Sequence, residues 1–194
     1  GVINLGQLAV DGTIALTTNG NGAATVVNDA GLNLGASTIG GALSATATTG
    51  DIGDSGNLAI TGAATFITGV SGSNIILNSP GSAFAAQVTM KAATGGNQAF
   101  GNITFVDSAA VKIETSAATN ADGDLLLDAS ADGAVGGSLS ITATTGNITQ
   151  AQALTVGGTS TFTTSASDAT ITLGSTNALS GAIILTTNGS SGNA

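Results

Sequence analysis

Apolar residues recur at every second position in short runs bounded by Gly, Asn or Asp. The pairs are Ile14/Leu16, Leu32/Leu34, Leu58/Ile60, Ile75/Leu77, Val88/Met90 and Ile103/Phe105. They continue with Val111/Ile113, Leu125/Leu127, Leu139/Ile141, Leu154/Val156, Ile171/Leu173 and Ile183/Leu185. A period of two sends alternate side chains to opposite faces, so each run predicts a short half-buried strand. Thr46, Thr48, Thr142, Thr144 and Thr172 fill outward slots, where a β-branched side chain suits a pleated surface. No window combines helical periodicity with caps. Between the runs lie Asn19-Gly20-Asn21-Gly22, Gly50-Asp51, Thr94-Gly95-Gly96-Asn97, Asp122-Gly123, Asp132-Gly133 and Asn188-Gly189. These residue types accept the positive φ of tight corners.

The strands recur in a longer order. GGALSATATTG (Gly40 to Gly50) returns as GGSLSITATTG (Gly136 to Gly146), changed only at Ala42/Ser138 and Ala45/Ile141. At the same offset of 96, Ile52 matches Ile148, Leu58 matches Leu154, Ile60 matches Val156 and Phe66 matches Phe162. Ile75 and Leu77 fall on Ile171 and Leu173. One residue is lost near Pro80, after which Phe84, Val88 and Met90 meet Leu179, Ile183 and Leu185. A third fragment is Leu16-Thr17-Thr18-Asn19-Gly20, identical to Leu185-Thr186-Thr187-Asn188-Gly189.

Repetition on this scale, built from strand–turn units of about 15 to 20 residues, predicts a β-solenoid. The expected fold is all-β: a right-handed parallel β-helix, in which each coil hydrogen-bonds to the next. Some ten coils at about 4.8 Å would give a rod about 45 Å long. Residues 1–194 read as one solenoid segment: a long repeat at 40–135, an incomplete copy at 136–194, and the end of a preceding copy at 1–39. Neither end is polar enough to read as a cap, and the chain starts without Met, so the sequence is expected to be a piece of a longer array. Asn33, Asn57 and Asn147 fall at turns, where they either stack in ladders or merely tolerate the dihedrals. A β-sandwich is the competing fold. It would normally show longer strands, aromatic anchors and no such repeat.

Composition sharpens this reading. Aromatic residues are 3% and hydrophobic residues 42%, so the core must be a narrow tube filled by Ala, Val, Ile and Leu. Stability then accumulates between neighbouring coils. Lys91 and Lys112 are the only basic side chains and the net charge is −9. That argues against nucleic-acid partners and against docking on anionic lipid. There is no Cys, so no disulfide framework operates. No apolar run of about 18 residues is present to span a membrane as a helix, and no charged leader precedes an apolar one.

The cadence LSITATTGNITQAQALTVGGTSTFTTSASDATITL (Leu139 to Leu173) resembles the β-strand repeats of filamentous-haemagglutinin-type exoproteins, which are very large secreted bacterial surface proteins. The resemblance covers essentially the whole chain. It implies a right-handed β-helical shaft, secretion, and a role in adhesion, biofilm or extracellular structure. The family's N-terminal secretion motif has no counterpart, since the only proline is Pro80 in Ser79-Pro80-Gly81.

Reactive chemistry is sparse. Without His or Cys, Ser–His and Cys–His nucleophiles cannot be assembled, and zinc lacks its usual ligands. Paired carboxylates can serve glycoside chemistry, but no Arg or aromatic platform is concentrated here to grip a sugar. No catalytic and no cofactor-binding residue is assigned. Asp122, Asp124, Asp128 and Asp132 form the densest acidic stretch and are weak Ca²⁺ candidates. Their spacing matches neither the EF-hand loop nor the calcium nonapeptide, so turn formation and solubility explain them as well.

The expected function is a non-enzymatic, extracellular structural shaft of a large bacterial adhesin or exoprotein. Its partners would be neighbouring repeats, like chains in a fibre, or surface receptors reached through other regions. The alternative is a self-assembling filament, sheath or surface-layer subunit. An ice-binding solenoid is a minor third reading, because Thr46/Thr48 and Thr142/Thr144 share a repeat position and are not expected on consecutive coils.

Overall fold

The computed structural model describes residues 1–92, 98–115, 125–129 and 134–191. It is built entirely from short strands. They run β1 (Ile3–Leu8), β2 (Thr13–Ile14), β3 (Ala24–Asn28), β4 (Leu32–Leu34), β5 (Ser37–Ile39), β6 (Leu43–Ala47) and β7 (Ile52–Asp54). Next come β8 (Leu58–Ile60), β9 (Ala64–Thr68), β10 (Ile75–Leu77), β11 (Ala83–Phe84), β12 (Val88–Lys91), β13 (Ile103–Asp107) and β14 (Val111–Glu114). The last are β15 (Leu125–Asp128), β16 (Leu139–Ala143), β17 (Ile148–Gln150), β18 (Thr155–Val156), β19 (Ser160–Ser167), β20 (Ala178–Leu179) and β21 (Ile183–Asn188).

Two broad eight-stranded sheets form the walls. The first has the order β1-β3-β6-β9-β12-β15-β14-β17 and the second β2-β4-β7-β10-β13-β16-β19-β21. A three-stranded sheet (β11-β8-β5) and a two-stranded one (β18-β20) line the sides. Every pairing among the described residues is parallel, as in Leu43 to Ala64 and Leu139 to Ser160. Parallel neighbours need a crossover between them, and here the crossover is the rest of the coil. The chain is a β-solenoid.

Coils are longer than the expected 15 to 20 residues. Hydrogen bonds between successive coils join residues 18 to 28 apart over most of the tube, and 34 to 38 apart in the middle. The strand–turn unit visible in the sequence is only a third to a half of a coil, because each coil uses two or three strands. The rungs therefore number eight in each broad sheet rather than ten, spanning about 35 Å at the usual strand spacing.

The long repeat does not stack in phase. In the first copy the chain visits the first sheet at β6, the second at β7 and the side sheet at β8; in the second copy the matching strands β16, β17 and β18 lie in the second, first and opposite side sheets. The same exchange relates β9 to β19, β11 to β20 and β12 to β21. Swapping both pairs of sheets is a half turn about the tube axis. Late in the first copy, β14 precedes β15 in the chain yet lies beyond it in the sheet, so two neighbouring strands of one wall are consecutive in the chain.

Strand alternation delivers one continuous core. Leu43, Ala45 and Ala47 point inward on β6, and Leu139, Ile141 and Ala143 do the same on β16. Phe66, Phe84 and Phe105 meet in the middle, with ring centroids 6.3 and 5.3 Å apart. The Gly-Gly start of the repeat has a packing cause. Gly22, Gly41 and Gly62 stack at the corner entering the first sheet, with Gly41 N–H donating to Gly22 O (2.9 Å) and Gly62 N–H to Gly41 O (3.1 Å). Gly101, Gly137 and Gly158 repeat this at the corner entering the second sheet, at 3.1 and 2.8 Å. A Cβ on Gly62 would stand 2.5 Å from the Gly41 carbonyl carbon, so backbone packs on backbone there and only glycine fits.

Candidate functional site

Polar side chains are spent mainly on joining coils. At the corner entering the second sheet, the Asn74 backbone N–H donates to Asp51 Oδ1 (2.7 Å) and its side-chain amide to Asp51 Oδ2 (2.8 Å). Asn102 N–H donates to Asn74 Oδ1 (2.6 Å), Ser138 N–H to Asn102 Oδ1 (2.8 Å) and Thr159 N–H to Ser138 Oγ (3.2 Å). A polar ladder thus climbs five coils, but not on the residues expected. Asn33, Asn57 and Asn147 lie on or beside β4, β8 and β17, in three different sheets, and each bonds singly to a neighbouring coil. Turn residues were legible as a class. Which of them align depends on the coil length, which the sequence period did not reveal.

Of the four candidate calcium ligands, Asp122, Asp124 and Asp132 lie outside the described residues. Asp128 ends β15 opposite Lys91 of β12, and its carboxylate pairs with Lys91 Nζ at 3.0 Å. Lys112 Nζ likewise stands 2.9 Å from the buried Glu114 carboxylate. Among the described residues no cluster of three or more acidic side chains could hold a metal ion.

Asp107 and Glu114 are buried acids that sequence reasoning missed, and Asp107 has no basic partner of the kind Lys112 gives Glu114. Asp107 ends β13 with no exposure; Oδ1 accepts from Phe84 N–H at 3.1 Å, while Oδ2 has no partner. Burial pushes its carboxyl above the ordinary value, and hydrogen bonds from the Phe84, Ser108 and Ala109 backbone and the Ser108 side chain pull it partly back. A group whose folded pKa is raised stabilises the fold below its unfolded value and loses that contribution as pH rises through the folded one. Stability should therefore fall as pH climbs from about 4 through the raised value. Asp107→Asn keeps the acceptor and removes the charge. Urea unfolding at several pH values is expected to show this variant more stable near neutrality, by about 1 kcal/mol, with that acid-side slope flattened. An unchanged slope would show that Asp107 does not titrate in this way.

Thr46 and Thr142 lie on β6 and β16 in different sheets, not on consecutive coils, but other outward hydroxyls do form columns across consecutive coils. Register aligns Thr25, Ser44, Thr65 and Thr89 on the first sheet. On the second it aligns Thr104, Ser140 and Thr161, and beside them Thr142, Thr163 and Thr186. The sequence comparison concealed this by pairing positions 96 residues apart, whereas physical neighbours are about a coil apart.

Residues 21–91 and 115–186 match a family model described as repeats of unknown function (DUF5649). The first segment holds β3 to β12, the second begins just before β15, and β13 and β14 lie between them. No curated protein and no solved structure matches the chain.

Proposed function

Because the chain belongs to the DUF5649 repeat family, we propose that it serves as a non-enzymatic structural shaft of a large secreted bacterial exoprotein, in adhesion or biofilm. The observation that carries this reading is the stacking itself. Both copies reproduce wall strands, corner glycines and inward Leu, Ile and Phe, and the polar ladder links their coils. A tube held by nearest-neighbour contacts lengthens by simple repetition and holds other parts away from a surface. The cadence shared with filamentous-haemagglutinin-type exoproteins supports an extracellular setting. Antibodies to this chain are expected to label intact producing cells or their secreted matrix. Labelling only after the cells are permeabilised would contradict the placement.

The hydroxyl columns favour a second reading, a face that orders water and binds ice. Stiff Thr rotamers at strand spacing make an uncharged grid at Thr142, Thr163, Ser140 and Thr161. In an ice-recrystallisation assay this reading predicts inhibition that Thr142→Lys with Thr163→Lys abolishes. Ice growth unaffected by the parent chain would dismiss it.

A further inference from the structure

Two corners of the tube, one on each broad wall, share a hydrogen-bond pattern. Asn28 ends β3 and Asp107 ends β13, each aligned with an alanine of the next coil, Ala47 and Ala143, and through it with Thr68 and Thr164. The residues that follow, Asp29 and Ser108, donate N–H to Leu8 O and Ser82 O, both at 2.9 Å. Thr48 and Thr144 N–H return to Asn28 O and Asp107 O, again at 2.9 Å. Above each corner a positive-φ glycine, Gly50 or Gly146, packs on Gly31 or Ala110, the residue three beyond Asn28 or Asp107.

The end groups differ. Oδ1 accepts the Val10 N–H at 3.0 Å in Asn28 and the Phe84 N–H at 3.1 Å in Asp107. The other terminal atom of Asn28 is the amide nitrogen, which donates to Val10 O at 2.9 Å and Gly31 O at 2.7 Å. Asp107 brings an oxygen to that place, Oδ2, buried and unpartnered, where the corresponding carbonyls are those of Phe84 and Ala110. An ionised carboxylate only accepts, whereas the neutral acid has one O–H to give. Burying the unpaired charge is the costlier state.

No charged side chain offsets that cost. β10, β11 and β16, which pack around Asp107, carry no titratable group. Lys91 pairs with Asp128 and Lys112 with Glu114 on the opposite wall, and the Asp54 carboxylate accepts the Asn78 and Ser79 N–H groups. The Ser108 and Ala109 N–H groups and the Ser108 hydroxyl favour the ionised form, but burial outweighs them.

We propose that Asp107 is a proton-operated latch: as the neutral acid its Oδ2–H donates to Ala110 O, as the Asn28 amide donates to Gly31 O, and it releases when that proton leaves to solvent. β13 pairs with β10 on one side and β16 of the second copy on the other, so the latch sits where the two halves meet. This goes beyond the shaft reading by giving the tube a joint that tightens in acid. The stabilisation is complete below the unfolded value of about 4 and is lost as pH rises through the folded one.

Urea unfolding of four chains between about pH 4 and pH 8 tests it. Relative to Asp107→Asn, the parent's folding constant should fall about tenfold per pH unit once the unfolded acid ionises. Asn28→Asp places an acid at both corners and should double that logarithmic slope. Combining Asn28→Asp with Asp107→Asn moves the acid to the other corner and should restore the parent's slope. In the isotope-labelled parent, the Asp107 carboxyl carbon should titrate above the ordinary aspartate range near pH 4. Titration near pH 4, a slope shared by parent and Asp107→Asn, or an Asn28→Asp chain unfolded even in acid overturns the proposal. So does a neutral-pH midpoint that calcium chloride raises in the parent but not in Asp107→Asn, since the place would then take a cation. None of these outcomes bears on where the chain resides, which cell-surface labelling decides.

Discussion

Gly62→Ala is expected to cost the folded state about 3 kcal/mol, read as a lower midpoint in urea unfolding followed by circular dichroism. One methyl group is added, but its neighbours are the carbonyl carbon and oxygen of Gly41 and the amide nitrogen of Ala42, at 2.5, 2.7 and 2.7 Å. No rotamer change can relieve a clash with backbone. The coil must move away, and the Gly62 N–H to Gly41 O bond of 3.1 Å goes with it. Gly174→Ala is the control, since an added Cβ there meets nothing within 4 Å. Equal effects of the two changes would mean that glycine at the corner serves chain flexibility and not close stacking.

The second large effect is expected for Phe105→Ala, at about 3 to 5 kcal/mol. Phe105 is fully buried on β13 and faces Phe84, which faces Phe66. Its strand pairs with β10 of the first copy and β16 of the second, so the cavity opens where the two halves join. In a stack held by nearest-neighbour contacts, weakening one junction uncouples what lies on either side. Urea unfolding of the variant should therefore divide into two steps, the parent protein giving one. A single transition at an unchanged midpoint would show that the phenylalanine cluster does not join the halves.

The sequence carried the strands, the parallel stacking and the thin core, because alternation and glycine corners are local properties of each run. Leu43, Ile52, Leu58 and Phe66 were identifiable as inward from spacing alone, and all are buried. The half turn was not legible. Leu43 and Leu139 stand in strings identical at nine of eleven positions and point inward alike, yet they build different walls. That choice is made late in the first copy, where β15 lies between β12 and β14. Nothing in the repeated strings encodes it. Other features were illegible for a related reason. The polar ladder and hydroxyl columns depend on register between coils, and Asp107 is set apart from other turn aspartates only by what packs around it.

Cysteine cross-linking measures that register most directly, since the chain has no cysteine of its own. Ser44→Cys with Thr65→Cys should oxidise to a disulfide, because the two positions face each other on β6 and β9; so should Ser140→Cys with Thr161→Cys on β16 and β19. Neighbouring parallel strands lie within disulfide reach. Thr65→Cys with Thr161→Cys should not close within one molecule, because these equivalent positions lie on different walls. Closure of the last pair, with failure of the first two, would contradict a solenoid whose successive repeats are related by a half turn.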